Sequence, residues 1–396
     1  MAVPAGVSQA GEVRSARVES LRALAALAVV EGHVWATSVG TTDNLLHRAL
    51  LGGGFGVFLF FALSGYLLYR PFARRDFADG GAISLRRYFI NRALRILPLY
   101  YATTIILLLL FEHGGSRQQW LRFGLLAQTF SDATVATVNG PTWSLVVEVH
   151  YYLLLPLLGL VVAVLARGRL WLAATLLGVV GLASLVLRYL LVTSVPNHPL
   201  TWQYSTLTNF VFFIPGMWLA LLQVRWRDDP PAWLRGPLRS STLWLAAAVT
   251  LWLLVWWDYS LDVAVLAAAF LTVGACVLPL RPGRAVRALD WRPLAILGVA
   301  SYSLYLWHDP IVGRLPQVTF LPRDYLVYLA VSIPVCCLVA LVSYRLFEAP
   351  WLRLRSTWTQ RSEEKRSLSE TVPGARAELD AVEHQEPNQA AQPPQG

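Results

Sequence analysis

The sequence predicts an all-α, polytopic integral membrane helical bundle of about ten transmembrane helices, with the N- and C-termini cytoplasmic. Three observations carry this. Of 396 residues, 56% are hydrophobic and 14% charged, with a mean hydropathy of +0.49, whereas an ordinary soluble domain carries about 25% charged residues. Apolar runs of roughly 18 residues, long enough to cross a hydrocarbon core about 30 Å thick, recur along the whole chain. Arginines, finally, partition to alternate sides of those runs.

The runs span 21–40, 53–70, 97–112, 143–165, 170–192, 205–223, 241–257, 262–280, 294–313 and 325–347. The first follows Arg14, Arg17 and Arg22 and imitates a signal peptide. It is longer than an apolar signal core and nine further runs follow, so it reads as an uncleaved first helix. With the N-terminus inside, the inner side collects Arg70, Arg74, Arg75, Arg86, Arg87, Arg92 and Arg95, then Arg167 and Arg169, then Arg225, Arg227, Arg235 and Arg239, then Arg281, Arg284, Arg287 and Arg292. The outer loops hold only Arg48, Arg117, Arg122, Arg314 and Arg323.

Spread over every inner loop, these arginines make the net charge of +9 a topology signal, and no nucleic-acid partner is implied. Cys276, Cys336 and Cys337 lie inside predicted helices without paired spacing, which indicates neither a disulfide framework nor a metal site. No internal repeat points to an inverted-repeat transporter. From Ser356 the composition turns to Glu, Arg, Ser, Gln and Pro, too poor in apolar surface to offset the entropy of ordering. The organisation is therefore a short cytoplasmic segment at 1–17, a membrane domain at 18–355 and a disordered cytoplasmic tail at 356–396.

Ionisable residues at membrane depth are functional candidates because their burial is costly. Arg22 and His33 are eleven residues apart, which at about 100° per residue returns them to within roughly 20° of one helix face, about 16 Å apart along the axis. Glu31 points roughly 160° away from His33, toward another cavity or helix. In "GPTWSLVVEVHYYLLLP", Ser144, Glu148 and either Tyr151 or Tyr152 share a face, and Glu148 enters the membrane from the outer side to a depth similar to that of His33. In "ASYSLYLWHDP", Ser301, Tyr305 and His308 share a face, although His308 also suits an interfacial anchor. The inner loop "RRYFINRALRILPLYY" offers guanidinium groups that suit phosphate, and the positive-inside rule accounts for them equally well.

In this order, "SLRALAALAVVEGHV", "GVFLFFALSGYLL", "NRALRILPLYY", "WSLVVEVHYYLLLP", "FFIPGMWLA", "SYSLYLWHDP" and "FEAPW" resemble the integral membrane acyltransferase 3 family over about residues 18–355. The chain departs from the family pattern at Val149, where a second acid is common, at Asn91, where a further arginine is common, and at Asp309, where tryptophan is common. The resemblance implies a multi-pass O-acyltransferase of the bacterial cell membrane that moves an acyl group, acetyl by default, from cytosolic acyl-CoA to a hydroxyl of a carbohydrate, glycolipid, polysaccharide or glycosylated metabolite.

By position, it makes His33 the general base, with Glu148 orienting or polarising it, and gives Arg22, Arg92 and Arg95 to the donor. Ser144, Tyr152, Tyr305 and His308 become substrate-binding residues. No metal or bound cofactor is expected; acyl-CoA is a co-substrate, and the lipid bilayer and a glycosylated acceptor are the other partners. The alternative from the residues alone is a transporter or flippase that uses the same buried polar groups as a translocation path.

Overall fold

The structure, a computed structural model, describes residues 15–38, 56–78, 80–226, 230–257, 262–318 and 324–353. The predicted tail at 356–396, most of the 1–17 segment, and Arg48, Arg227 and Arg323 lie outside the described residues. The main helices are α1 (Ala16–Ser38), α2 (Gly56–Phe77), α3 (Leu85–Leu110), α4 (Thr142–Ala166), α5 (Leu170–Arg188), α6 (Ile214–Arg225), α7 (Ser241–Trp257), α8 (Asp262–Val277), α9 (Arg292–Val299), α10 (Ser301–Val318) and α11 (Tyr325–Ser343). The chain is an all-α, polytopic membrane bundle. Six of its described helical segments are long and apolar enough to cross a membrane: Gly56–Phe77, Leu85–Leu110, Thr142–Ala166, Leu170–Thr193, Thr206–Arg225 and Tyr325–Arg353.

Helices occupy all ten predicted runs, with two corrections to the expected outlines. The run at 294–313 is not one helix: it breaks at Ala300 into α9 and α10. The break lets α9 cross the start of α1, where a Cβ on Gly298 would lie 1.8 Å from the Glu19 carbonyl oxygen, while α10 runs alongside α1. The stretch holding Arg92 and Arg95 is not an inner loop. It forms the second and third turns of α3, which starts at Leu85 because the Ser84 hydroxyl accepts from the Arg87 amide at 3.3 Å.

α1 is the central helix and packs against α2, α8, α9, α10 and α11. Close crossings rest on absent side chains, as is usual where lipid supplies no hydrophobic drive between helices. A Cβ on Gly216 of α6 would sit 1.8 Å from the Ala62 carbonyl oxygen of α2, and one on Gly65 would sit 2.2 Å from that of Phe213. Outward faces of α4 and α5 present Leu153, Leu157, Leu160, Val164 and Leu182. One half-buried ion pair ties the far side together: Arg188 Nε donates to Asp262 at 2.9 Å and Nη1 to Asn209 at 3.3 Å, with the guanidinium over Phe212.

Prolines inside helices release carbonyls four residues earlier, since proline has no N–H to donate. At three of them a side chain from elsewhere takes the freed oxygen. Pro156 frees Tyr152, whose carbonyl accepts from the Tyr88 hydroxyl of α3 at 3.1 Å. Pro310 frees Leu306, whose carbonyl accepts from Asn139 Nδ2 at 2.9 Å. Pro316 frees Val312, whose carbonyl accepts from the Tyr328 hydroxyl of α11. In a hydrocarbon setting such replacement partners are what make internal prolines tolerable.

Gly216→Ala is expected to destabilise the bundle by about 1–3 kcal/mol through overpacking at the α2–α6 crossing. Gly313→Ala, with nothing within 4 Å of its added Cβ, should leave stability unchanged or raise it. Thermal unfolding of the two detergent-extracted variants checks the contrast.

Candidate active site

The polar candidates converge on α10, whose Ser301, Ser303, Tyr305 and His308 are all buried. Each meets a different partner. Arg22 Nε of α1 donates to Ser301 Oγ at 3.2 Å. Ser303 Oγ donates to Glu348, in the turn that continues α11. The Tyr305 hydroxyl donates to the Pro141 carbonyl at 2.7 Å and lies 2.7 Å from Ser144 Oγ at the start of α4. His308 meets His33 of α1, ring centroids 4.7 Å apart and planes at 80°. Seven residues of α10 thus bridge the two ends of the Arg22–His33 face, so α1 and α10 run parallel.

At the Arg22 end sits a compact charge cluster. Arg22 is 3.7 Å from Glu19, one turn earlier on α1. Arg22, Arg92 and Arg95 all lie within Coulombic range of Glu148, and Arg95 is also within range of Glu19 and Glu348. Three guanidiniums therefore face three carboxylates, which is how charges are carried at this depth without a large uncompensated field. Arg92 lies 5.8 Å over the Tyr152 ring, and its buried Nε has no hydrogen-bond partner among the described residues.

Glu148 accepts a hydrogen bond from Ser64 of α2. Ser144, Glu148 and Tyr152 form one row along α4, each meeting polar or aromatic partners from another helix. Tyr151 instead stacks on Phe213 at 4.0 Å, which settles Tyr152 as the member of this row. No hydrogen bond joins Glu148 to His33 among the described residues; the carboxylate belongs to the arginine end. Glu31 turns away from His33 and accepts from the Tyr325 hydroxyl at 2.8 Å. Phe60 of α2 stands between the two ends, 6.1 Å from Tyr305, with the Arg22 guanidinium 5.9 Å from its ring.

The histidine end is arranged for acceptance of protons. His33 Nδ1 lies 2.9 Å from the Val29 carbonyl and His308 Nδ1 2.6 Å from the Tyr305 carbonyl. A carbonyl can only accept, so both Nδ1 atoms carry hydrogen, and in a neutral ring it is Nε2 that keeps the lone pair. Among the described residues no group of three His, Cys, Asp or Glu side chains is placed to hold a metal ion.

Sequence reasoning passed over Glu19, Ser64, Tyr88, Ser303 and Glu348. Glu348 stood in the quoted "FEAPW" element, and Glu19 sits three residues before Arg22. A carboxylate in or beside an apolar run was the signal available for both. The two serines and Tyr88 carried none, because only packing shows which hydroxyl meets which partner.

An acyltransferase-domain signature matches residues 15–345, and the chain belongs to that family, the integral membrane acyltransferases. Its relatives include the Listeria monocytogenes protein named peptidoglycan O-acetyltransferase OatA, 24% identical over 365 residues, covering 84% of this chain and 55% of the relative. YrhL of Bacillus subtilis, provisionally named a peptidoglycan O-acetyltransferase, is 26% identical over 362 residues, covering 84% and 54%. A Staphylococcus aureus protein provisionally named an O-acetyltransferase is 24% identical over 368 residues, covering 84% and 56%. The chain spans about half the length of these curated relatives. No solved structure matches it. With its apolar helices and bacterial relatives, the chain is a multi-pass acyltransferase-family protein of a bacterial membrane.

Glu348→Leu should destabilise the protein by about 3–5 kcal/mol, because it leaves a surplus buried guanidinium charge without its counter-ion. Glu348→Gln, which keeps a hydrogen-bond acceptor for Ser303, should lose less. The unfolding midpoints of the two variants in one detergent check the order.

Proposed function

We propose that this chain transfers an acyl group, acetyl by default, from cytosolic acyl-CoA to a hydroxyl of a carbohydrate, glycolipid, polysaccharide or glycosylated metabolite. The observation that carries this is the polarity of the α1–α10 pair: guanidiniums gather at one end and an imidazole held at Nδ1, with Nε2 left for a substrate proton, stands at the other, about 16 Å along α1 at 1.5 Å per residue. The printed names of the bacterial relatives, which concern O-acetylation, support the same reaction class.

In this reading all ten helical runs span the membrane, both termini are cytoplasmic, and residues 18–355 form the catalytic domain ahead of a disordered tail. The arginine end then faces the cytosol, as the partition of loop arginines requires. Arg92 and Arg95 bind the donor's phosphates, and Arg22 guides its thioester along α1. The three carboxylates keep these cations tolerable until the anionic donor arrives.

His33 Nε2 takes the acceptor's proton as its oxygen attacks the thioester carbonyl, a task suited to an imidazole. Ser144, Tyr152, Tyr305 and His308 line the substrate's side of the site. Glu148 acts from the arginine end, where it holds Ser64 and offsets Arg92 and Arg95. Exclusion of water by the surrounding helices limits loss of the thioester to hydrolysis.

His33→Ala is expected to lower transfer by about 10²- to 10⁴-fold while membrane insertion and monodispersity stay near normal. Mass spectrometry of sugar-containing lipids and metabolites, from host cells expressing wild type, His33→Ala or an empty vector at matched protein levels, is the test. A mass increase found only with wild type identifies acyl group and acceptor together. An increase shared by wild type and variant removes His33 from the mechanism; none in any of the three defeats the proposed activity in that host.

Arg92→Ala and Arg95→Ala should chiefly raise the apparent KM for acyl-CoA. Unchanged donor dependence, or an inverted topology, would reduce these arginines to orientation signals.

A further inference from the structure

The proposed reaction places a positive charge on His33, and among the described residues no carboxylate hydrogen-bonds to its ring. Histidine bases in hydrolases are oriented at Nδ1 by an acid that also stabilises the imidazolium. Here the His33 Nδ1–H goes to the neutral Val29 carbonyl. Glu31 accepts from Tyr325, Glu148 accepts from Ser64 at the arginine end, and Asp309, next to His308 and within Coulombic range of Tyr305, makes no hydrogen bond to either imidazole among the described residues.

What stands against His33 instead is a second imidazole. His308 is fully buried, its Nδ1–H is fixed on the Tyr305 carbonyl, and its buried Nε2 has no hydrogen-bond partner among the described residues. A buried acceptor left unpaired is unfavourable. The freed Leu306 carbonyl of the adjacent kink is satisfied by Asn139, so His308 is not needed as its partner. The rings meet edge to face at 4.7 Å, an arrangement in which a neutral ring stabilises a cationic one. Two adjacent imidazoles with both Nδ1 positions already protonated accommodate one further proton readily and a second only against repulsion.

We propose that His33 and His308 work as a single proton-holding unit, which makes His308 the second base of the site. The inference rests on the acyl-transfer reading above and goes beyond a contact role for His308. The acceptor O–H bond breaks as its oxygen bonds to the thioester carbonyl carbon, and the proton passes to His33 Nε2, where the pair holds it. When the C–S bond breaks, sulfur keeps the bonding electrons and takes that proton from the pair, leaving both imidazoles neutral and releasing the free thiol. No further reactant is required.

The test uses the full-length protein in host membranes with radiolabelled acetyl-CoA as donor and the membranes' own glycolipids as acceptor. The variants are His308→Gln, His308→Ala, His33→Ala and the His33→Ala/His308→Gln double. Glutamine can still accept a hydrogen bond but cannot hold a proton. His308→Gln is therefore expected to lower kcat by about 10²-fold or more, with the KM for acetyl-CoA unchanged. The double variant should be no slower than His33→Ala alone, as for residues that act as a unit.

Turnover of His308→Gln within threefold of wild type would overturn the inference, as would losses that multiply in the double variant. A His308→Gln protein whose unfolding midpoint matches wild type excludes a folding defect; if it does not match, His308→Ala serves for the same comparison. Absence of label transfer by wild type itself would strike the acyl-transfer reading rather than the pairing of the histidines.

Discussion

Everything in this bundle is arranged around one constraint: in a hydrocarbon surround a charge or a backbone carbonyl must be met by protein. The constraint accounts for the shape of the interior. Three arginines could not lie in the bodies of α1 and α3 without Glu19, Glu148 and Glu348 close by. The prolines of α4 and α10 could not interrupt their ladders without Tyr88, Asn139 and Tyr328 taking up the freed oxygens.

The same requirement explains why α10 is the organising element of the site. A helix bearing two serines, two tyrosines and a histidine in eight residues is costly unless each finds a partner, and here the partners come from α1, α3, α4 and the end of α11. Satisfying the helix fixes its neighbours relative to one another. Arg22 and His33 are thereby held on a shared seam, with Phe60 filling the space between the two ends. A polar seam of this kind is the architecture expected of a catalyst whose reactants approach from opposite faces.

The two ends of the seam differ in electrostatic character. The arginine end is balanced by carboxylates and becomes short of anions only if one is removed, so an incoming phosphate group competes on nearly neutral ground. The histidine end holds two imidazoles with their Nδ1 hydrogens spent on backbone carbonyls, and among the described residues no carboxylate hydrogen-bonds to either ring. A proton arriving there has two lone pairs to share and little else to stabilise it, which suits a group that must release it again to a thiolate.

By itself, the sequence determined the class of fold, because apolar runs and the side bias of arginine are set by transfer free energy and need no tertiary information. It also determined that Arg22 and His33 share a face, and that Ser301, Tyr305 and His308 do, since helical periodicity is local. Tertiary structure decided the rest. That His33 meets His308 rather than Glu148, that Glu148 belongs with Arg92 and Arg95, and that Glu348 joins them are contacts between helices remote in sequence. The break at Ala300 likewise accompanies the approach of α9 to α1, for which Gly298 in the run was only a weak local signal. Periodicity fixes which way a side chain leaves its helix; only packing decides what it finds there.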